Sequence, residues 1–377
     1  MPDYFLRGFQ PQDYEEDLLA GDDLAALGAR LTALGVRRVL AGTESGVLIA
    51  DRLNALMGLP GNDAGTAAAR RDKTAMARAA AAAGLAVPCG RSFDDPIAAA
   101  AWYDSAGLRE AVVKPPCSAG TDNVWFCSGA REVERACDRV LSASNLYGAR
   151  NRAVLVQERL RGVEYYVNTV SHDGVHRIAE TWRYHKRSGS SGSPVYDYEE
   201  PVPAAGAEAA PLRAYVPRVL DALGVVSGAA HTEVMVTERG PVLIESGARL
   251  GGATLPEVVE KFSGVSQTSL LADCVLSPDR LRAFDDTTVC WSSRVRNVAL
   301  INHQAGDVRS LDWAERIAGL PTAVGLAHHL EPGQRLEPTR DLLDSPGFVY
   351  LAAADPAEVE LDYALLREWE DQALYTS

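Results

Sequence analysis

The spacing of apolar residues changes between helical and strand-like several times along the chain. Residues 12–35 place Leu and Ala at helical spacing among acidic residues, Val36–Ala41 predicts a short strand, and Val47–Met57 predicts a second helix. A strand followed by a helix is typical of an open α/β sheet, in which ligands bind beyond the carboxyl ends of the strands. Such a sheet usually begins with a strand, whereas this chain begins with a polar segment and a helix.

An alanine-rich helix, Arg70–Ala83, closes this first part of the chain. Gly84 follows it where a helix commonly ends, and we expect a domain boundary there. The part that follows predicts mixed α+β structure, with strands at 111–114, 123–127 and 153–157, a helix at 131–142, mainly strands from Tyr165 to Trp182, a helix near 211–223, a hairpin at 231–245 and a long helix near 256–276. The Gly/Ser-rich segment Arg187–Ser193 is expected to be a mobile loop.

Composition and net charge exclude several classes of binding partner but say little about the fold. The 377 residues suffice for two or three domains, and 47% hydrophobic with 23% charged residues is typical of a folded protein. A net charge of −14 disfavours binding to nucleic acid or to an anionic membrane, so we expect a small-molecule partner. The six cysteines form no C-x-x-C pair and no apolar run is long enough to span a membrane, so we expect a soluble cytoplasmic protein.

Several common enzyme classes are disfavoured by the motifs that are missing. The sequence contains no G-x-x-x-x-G-K-[ST], G-x-G-x-x-G, H-E-x-x-H or G-x-S-x-G motif. A P-loop, a Rossmann dinucleotide site, a zinc protease and an α/β-hydrolase therefore lack their minimal signatures.

The segment His231–Arg249, HTEVMVTERGPVLIESGAR, predicts a β-hairpin whose register follows from its letters. A three-residue loop at 238–240 places Glu233 directly opposite Glu245. Opposed carboxylates about 5 Å apart repel each other, and a divalent cation such as magnesium would compensate them. The alternative is a solvent-exposed hairpin, which the apolar neighbours VMV and VLI disfavour.

Further polar groups near this hairpin in sequence are suited to an anion. Arg249 follows the hairpin, and the glycines Gly251 and Gly252 let backbone N–H groups approach a ligand. Lys114 ends an apolar strand and opens the small-residue loop PPCSAGT, a setting typical of a phosphate-binding lysine. Each residue also has an explanation without a ligand. Arg249 could form a surface ion pair, and Lys114 could extend from the strand end to solvent. Lys73, on the alanine-rich helix, could lie on a solvated helix face.

The segment VLVQERLRGVE, residues 154–164, predicts a buried strand and then a polar crossing. Its backbone could face a flat ring, with Glu164 in reach of hydroxyl groups. His185 and Lys186 lie beside the Gly/Ser-rich segment, where they could cover an anion or simply be solvated.

In their order along the chain, Lys73, VVKPPCSAGTDNV, VQERLRGVEYYV, HTEV and LIESGARLGG resemble the motifs of the ATP-grasp superfamily of carboxylate–amine ligases. The resemblance covers roughly residues 36–280 and is strongest to the L-amino acid ligases of dipeptide antibiotic pathways, of the bacilysin and dapdiamide types. It implies an α/β (α+β) ATP-grasp fold: a short N-terminal open α/β domain at 1–83 without the family's first strand–helix unit, a small α+β lid at 84–157, and a larger antiparallel α+β C-terminal domain at 158–377, with a tail subdomain from about residue 286.

The resemblance also implies an ATP site between two α+β units. For ATP, the resemblance implies that Lys73 and Lys114 bind the phosphates beneath the loop residues Ser118, Ala119 and Gly120, that Gln157, Glu158 and Leu160 contact the adenine, and that Glu164 binds the ribose. Glu233 and Glu245 would bind Mg²⁺ or Mn²⁺, and Arg249 would stabilise the acyl phosphate and the tetrahedral state. The substrates would contact Lys186, His231, Gly251 and Gly252.

One position departs from the superfamily pattern. Many members carry an asparagine two residues after the second glutamate, as a further metal ligand, where this chain has Gly247; the amino acid ligases also tend to lack it. The resemblance implies a ligase that activates a small-molecule carboxylate as an acyl phosphate and couples it to an amine, with an amino acid as a substrate. Ligases of this type are often dimers, which makes a homodimer possible, and the sequence leaves the oligomeric state open. Two alternatives stay open, a thiol or bicarbonate acceptor and a degenerate nucleotide-binding module, although retention of the lysines, the glutamates and Arg249 argues against the module.

Overall fold

The computed structural model describes residues 10–21, 23–118, 120, 122–188, 194–342 and 344–376. Its helices are α1 (Leu24–Ala33), α2 (Val47–Met57), α3 (Lys73–Ala82), α4 (Pro96–Ser105), α5 (Ala130–Ser142), α6 (Ala210–Ala222), α7 (Pro256–Ser263), α8 (Gln267–Leu276), α9 (Pro278–Ala283), α10 (Asp312–Ala318) and α11 (Pro356–Asp371), with short 3-10 helices at Pro11–Asp13, Glu44–Gly46 and Ala64–Arg70. No helix within these ranges is long and apolar enough to cross a membrane.

The strands form two larger antiparallel sheets and one short ribbon. They are β1 (Gly90–Phe93), β2 (Ala111–Lys114), β3 (Trp125–Cys127), β4 (Val154–Glu158), β5 (Val163–His172), β6 (Val175–Ser188), β7 (Pro194–Pro201), β8 (Gly228–Thr237), β9 (Gly240–Gly247), β10 (Arg294–Ala299), β11 (Gly306–Asp307), β12 (Ala323–His328), β13 (Arg335–Leu336) and β14 (Gly347–Ala353). The small sheet has the order β1-β4-β2-β3, the large sheet β12-β14-β10-β7-β6-β5-β8-β9, and β11 pairs with β13.

Each sheet buries one face under helices. The small sheet packs its alternating apolar residues, such as Val113 and Val156, against α4 and α5. The large sheet packs β5, β8 and β9 against α3 and α6 in a core that includes Met76, Val216 and Leu243. The strands β10 and β14 form a further core with α10 and α11. The opposite faces of the β2 and β5–β9 regions are left to line a cavity between the sheets.

The predicted strand Val36–Ala41 is wrong, because this segment joins no sheet and has no regular secondary structure. The side chain of Asn54 on α2 donates to the Val39 carbonyl at 2.8 Å and accepts the Val39 N–H at 3.1 Å. A side-chain amide thus satisfies the backbone groups that a neighbouring strand would satisfy. Within the described residues before β1 there is no strand to pair with.

Three predicted helices differ from those observed. The helix expected over residues 12–35 is confined to Leu24–Ala33 and follows a 3-10 turn at Pro11–Asp13. The helix near 256–276 is two helices, since Gly264 adopts a left-handed φ of 82° that ends α7 and Ser266 caps α8. The alanine-rich helix begins at Lys73 and not at Arg70, because the Asp72 side chain caps it after a 3-10 segment. Strand β6 extends to Ser188, and residues 189–193 of the predicted mobile loop lie outside the described residues.

The hairpin of β8 and β9 places Glu233 opposite Glu245, as predicted, but by a different route. Thr237 pairs with Gly240, so the turn has two residues and not three, and a bulge beyond Val234 restores the register. The extra residue of the bulge, Ile244, offsets the residue missing from the turn. The three domain boundaries stay predictions.

Candidate active site

A cavity of about 330 Å³ lies between the two sheets. The predicted site residues that line it are Lys73, Lys114, Ser118, Gly120, Gln157, Glu158, Leu160, Glu164, Lys186, His231, Glu233, Glu245, Arg249 and Gly252. A second cavity of about 430 Å³ adjoins it and is lined by Gly251 together with Arg249 and Gly252. Ala119 lies outside the described residues. The structure therefore brings these residues to one place, while their individual roles stay predictions.

Lys73 reaches the first cavity from the start of α3, where the Asp72 carboxylate accepts backbone N–H groups of the first turn. Its Nζ lies 2.7 Å from Glu245 Oε2 and donates to the Ser118 carbonyl at 2.7 Å. Burial lowers the pKa of Lys73, but the carboxylates of Glu245, Glu44 and Glu233 together outweigh burial, so the net shift of the pKa is upward. The lysine is therefore held in its charged form by carboxylates that include both predicted metal ligands.

Lys114 projects from the end of β2 and is 6% exposed. Burial, followed by the positive charge of Lys73, lowers its pKa to about 8. Its ammonium makes no hydrogen bond or ion pair with any other described residue. An anion placed between the two lysines would favour the charged form of both, so this corner suits the phosphates of a nucleotide.

The two opposed glutamates are compensated by cationic and polar side chains. Glu245 is paired with Lys73 at 2.7 Å, while Glu233 accepts from the Tyr184 hydroxyl at 3.3 Å and lies 3.7 Å from His231 Nε2. Burial opposes ionisation of Glu233, but His231 and the nearby lysines hold the pKa of Glu233 at about 2. Both carboxylates line the first cavity together with the charged side chains of Lys73, Lys114 and Lys186.

The end of β4 and the crossing to β5 form another side of the first cavity. The Glu158 N–H donates to the Cys89 carbonyl at 2.7 Å, and the Glu158 carboxylate accepts from Arg239 at 2.7 Å. The Glu158 backbone N–H and carboxylate are thus both engaged by other parts of the protein. Gln157 is 8% exposed and lines the cavity beside Leu160.

Glu164 and Lys186 form an ion pair inside the first cavity. Lys186 Nζ donates to both Glu164 carboxylate oxygens at 2.8 and 2.9 Å and lies 4.5 Å from the centre of the Tyr196 ring. Burial raises the pKa of Glu164 although Lys186 opposes this shift. The neighbouring His185 stacks on Tyr198 at 4.2 Å and does not line this cavity, so only Lys186 of the pair belongs to it.

Arg249 and Gly252 line both cavities and mark their junction. The Gly251 N–H donates to Gln267 Oε1 at 2.8 Å, so this amide is engaged by the protein. A Cβ at Gly251 would lie 3.0 Å from the side chain of Asn168, which explains the glycine by close packing. Of the two glycine amides, only that of Gly252 makes no hydrogen bond to a described residue.

Three acidic residues of the cavities were not selected from the sequence, Glu44, Asp122 and Glu199. Glu199 on β7 lines both cavities, and its Oε2 accepts from the Tyr166 hydroxyl at 2.8 Å and from Asn297 Nδ2 at 3.1 Å. Burial raises the pKa of Glu199 to about 7. The letters DYEEP do not distinguish Glu199 from Glu200, because only the strand register shows which of them faces the cavities.

Comparisons with known proteins agree with this geometry. Residues 109–257 match the family described as ATP-grasp domain. The chain is similar to dapdiamide A synthase of Enterobacter agglomerans, with 31% identity across 98% of this chain and 88% of that protein. Among solved structures, the L-amino acid ligase from Bacillus licheniformis has a TM-score of 0.73 at 18% identity, covering 92% of this chain and 84% of that one. The N5-carboxyaminoimidazole synthase from Aspergillus clavatus, in complex with ADP and 5-aminoimidazole ribonucleotide, has a TM-score of 0.63 at 14% identity, covering 86% and 79%.

The chain belongs to the ATP-grasp superfamily of carboxylate–amine ligases. It is an ATP-dependent, amide-forming ligase of the kind found in natural product biosynthesis, and its substrates are a small-molecule carboxylate and an amine. The predicted ATP-grasp fold is confirmed. The matched range runs from before Lys114 to beyond Gly252, so Lys73 is the one cavity lysine that precedes it.

Proposed function

We propose that the two cavities serve two halves of one reaction, in the biosynthesis of a small-molecule or peptide natural product. In the first half a substrate carboxylate oxygen attacks the γ-phosphorus of ATP, and ADP leaves. In the second half an amine nitrogen attacks the carbonyl carbon of the acyl phosphate, orthophosphate leaves and the amine gives up a proton. The observation that carries this proposal is the position of Arg249 at the junction of the two cavities, where a guanidinium stabilises developing negative charge.

The first cavity is proposed to bind ATP. Lys73 and Lys114, with the loop residues Ser118 and Gly120, surround the corner that suits phosphates, and the closeness of the two lysines supports this placement. The nucleoside would lie at the other end, against Gln157, Glu158, Leu160 and Glu164. Glu164 would then exchange its ion pair with Lys186 for ribose hydroxyls, which leaves Lys186 free to meet a substrate or phosphate anion.

Glu233 and Glu245 are proposed to hold Mg²⁺, with Mn²⁺ as an alternative. Within the described residues no group of three or more His, Cys, Asp and Glu side chains is gathered for a metal ion. Two carboxylates match what magnesium takes from proteins in nucleotide sites, where phosphate and water oxygens complete its coordination. When bound, the ion would neutralise charge on the phosphates that are being transferred.

The released products distinguish this reaction from adenylation. With a competent carboxylate and amine, we expect ADP and orthophosphate to form in equal amounts with the amide, because the intermediate is an acyl phosphate. Hydroxylamine should replace the amine and trap the acyl group as a hydroxamate. Chromatography of the nucleotides and a phosphate assay, run over a panel of amino acids, measure this; AMP and pyrophosphate as products would contradict the proposal.

The same assay addresses the alternatives. Turnover that requires a thiol or bicarbonate in place of an amine would favour another acceptor. ATP binding without turnover on any carboxylate would favour a degenerate module. We also propose that the enzyme acts in the cytoplasm, which its six free cysteines support, and as a homodimer, an assembly common among ligases of this type.

Glu199 is proposed to receive the amine. None of the described lysines, arginines and histidines forms an ion pair with it, and only its Oε2 is occupied, by Tyr166 and Asn297. The other oxygen is free for an ammonium group at the point where the cavities meet. A carboxyl group with a pKa of about 7 is suited to take a proton from the bound amine. His231, Gly251 and Gly252 would bind parts of the substrates beside it.

Glu199→Gln should lower kcat/KM for the amine substrate by about a hundredfold or more, the scale of a lost general base. The hydroxylamine reaction should change little, since hydroxylamine is mostly uncharged at neutral pH and needs no deprotonation before it attacks; the proton that it loses afterwards can pass to the departing phosphate. The wild-type rate should rise with pH through about 7 as Glu199 ionises, and the variant should lack that rise. Glu208→Gln, at an exposed carboxylate bonded to the Tyr165 hydroxyl, is the matched control. Equal losses with both nucleophiles would exclude this role for Glu199.

A further inference from the structure

The guanidinium of Arg249 is held by the protein through two of its three nitrogens. Its Nε donates to Glu44 Oε2 at 3.0 Å, and its Nη1 donates to the Leu250 carbonyl at 2.7 Å. The third nitrogen, Nη2, makes no hydrogen bond to any described residue, and the side chain is only 16% exposed. One nitrogen is therefore left to meet a ligand at the junction of the cavities.

Glu44 is itself held from a second direction. Its Oε1 accepts from Arg71 Nη1 at 3.0 Å, and the Arg71 guanidinium lies 4.6 Å from the centre of the Tyr147 ring. The Glu44 side chain is 14% exposed. A carboxylate that binds a guanidinium through each of its oxygens has little freedom to turn, so Glu44 is a rigid partner for Arg249.

Gly247 provides the space that Glu44 occupies. A Cβ at this position would lie 2.6 Å from Glu44 Oε2, which is closer than real Cβ contacts allow, and 3.5 Å from Arg249 Nε. Any side chain at 247 would therefore push the Glu44 carboxylate away from Arg249. The glycine that departs from the superfamily pattern and the contact between Glu44 and Arg249 are parts of one arrangement.

We propose that Glu44 is a positioning residue, which fixes Arg249 with its free nitrogen at the junction of the cavities, and that Gly247 is required for this contact. The inference rests on the proposed function, in which Arg249 stabilises charge at that junction. Arginine has many rotamers, and only those that face the transferring group contribute to catalysis. Loss of Glu44 should therefore slow the chemistry more than it weakens ATP binding, since Lys73 and Lys114 hold the phosphates.

Glu44→Gln keeps the size of the side chain but removes its charge. We expect kcat to fall about tenfold or more, with KM for ATP and the calorimetric affinity for ATP changed by less than about threefold. Gly247→Ala should produce the same split by displacing the carboxylate. Glu16→Gln is the matched control, because Glu16 is an exposed carboxylate paired with Arg30, and it should keep wild-type kinetics.

A double-mutant cycle is the decisive measurement. Because Glu44 acts through Arg249, Glu44→Gln should cause no more than about a twofold further loss of kcat in an Arg249→Ala background. A further loss as large as in the wild-type background would overturn the inference, as would an unchanged kcat in both Glu44→Gln and Gly247→Ala. If Glu44→Gln does not fold, Gly247→Ala completes the cycle.

Assays of the wild-type enzyme distinguish failure of the proposed function from failure of the inference about Glu44. If it shows no ADP release that depends on a carboxylate and an amine, the proposed function fails and this inference fails with it. If the wild-type enzyme is active but the cycle shows no coupling between Glu44 and Arg249, only the inference about Glu44 is refuted.

Discussion

The variant Glu245→Gln is expected to lose turnover while remaining folded. Glutamine has the same shape and its carbonyl oxygen still accepts a hydrogen bond from Lys73, 2.7 Å from the carboxylate in the wild type. Without its charge, however, the side chain cannot hold a divalent cation together with phosphates. We expect turnover to fall by more than about a hundredfold. This loss is larger than the roughly 10- to 100-fold loss that follows when a residue that only contacts a metal ligand is removed.

The stability of this variant should change little, because two effects oppose each other. The change relieves the repulsion between Glu245 and Glu233, which face each other across β8 and β9, but it leaves the ammonium of Lys73 without its carboxylate. Steady-state ATP turnover over a range of Mg²⁺ concentrations and thermal unfolding measure the two quantities. Glu238→Gln, at the exposed turn of the same hairpin, is the matched control. Near-normal turnover in Glu245→Gln would show that Glu245 is a structural residue.

The variant Arg249→Ala is expected to separate chemistry from nucleotide binding. Removal of one preorganised donor from a developing charge costs about a hundredfold or more in rate. ATP affinity should change far less, because Lys73 and Lys114 remain at the proposed phosphate site. Arg249→Lys should rescue poorly, since one ammonium cannot contact Glu44, the Leu250 carbonyl and a substrate together.

Calorimetry with ATP and phosphate release on the same preparations give both quantities. Arg52→Ala, at an exposed position on α2, is the control for loss of a guanidinium. Equal losses of ATP affinity and rate in Arg249→Ala would assign this residue to uniform nucleotide binding. No loss in either would show that Arg249 is not needed for the chemistry.

The sequence predicts an element well where the spacing of its apolar residues and the residues at its ends indicate the same structure. The strand 111–114 and the helix near 131–142 recur in the structure within a residue, because each has a buried face and a clear end. The opposition of Glu233 and Glu245 was also predicted, although the assumed three-residue turn is wrong. A bulge at Ile244 replaced the residue that the turn lacks, and no letter in the hairpin marks a bulge.

The errors arise where a contact between separate segments, or a local break in the backbone, decides the structure. Val36–Ala41 has the composition of a strand, but the structure supplies a side chain, Asn54, where a strand partner would be needed. The segment 256–276 has helical composition throughout, yet Gly264 adopts a left-handed conformation and separates two helices. Local composition predicts the type of element better than it predicts whether a partner or a break is present.

The same distinction holds for the candidate site. Lysines and glutamates that stand at the ends or centres of short motifs could be selected from the sequence, and the structure places them around one cavity. Glu199 and Glu44 could not, because their positions depend on strand register and on an approach between residues 44 and 249. Gly247 is the one sequence feature related to that approach, because a glycine at this position leaves room for the Glu44 carboxylate.

The inner position of β7 in the large sheet has a consequence for how such enzymes vary. The family match ends at residue 257, yet strands β10, β14 and β12 continue the same sheet beyond it, and they bring Asn297, His328 and Phe348 to the second cavity. The second cavity is thus composite, with lining residues from the matched range, from the tail and from residues 42–44. If this cavity binds the substrates, as proposed, sequence change in the tail alone would alter which substrates fit while the nucleotide chemistry is kept. A chain shortened before β10 would expose the edge of β7, and unpaired edges of this kind promote aggregation.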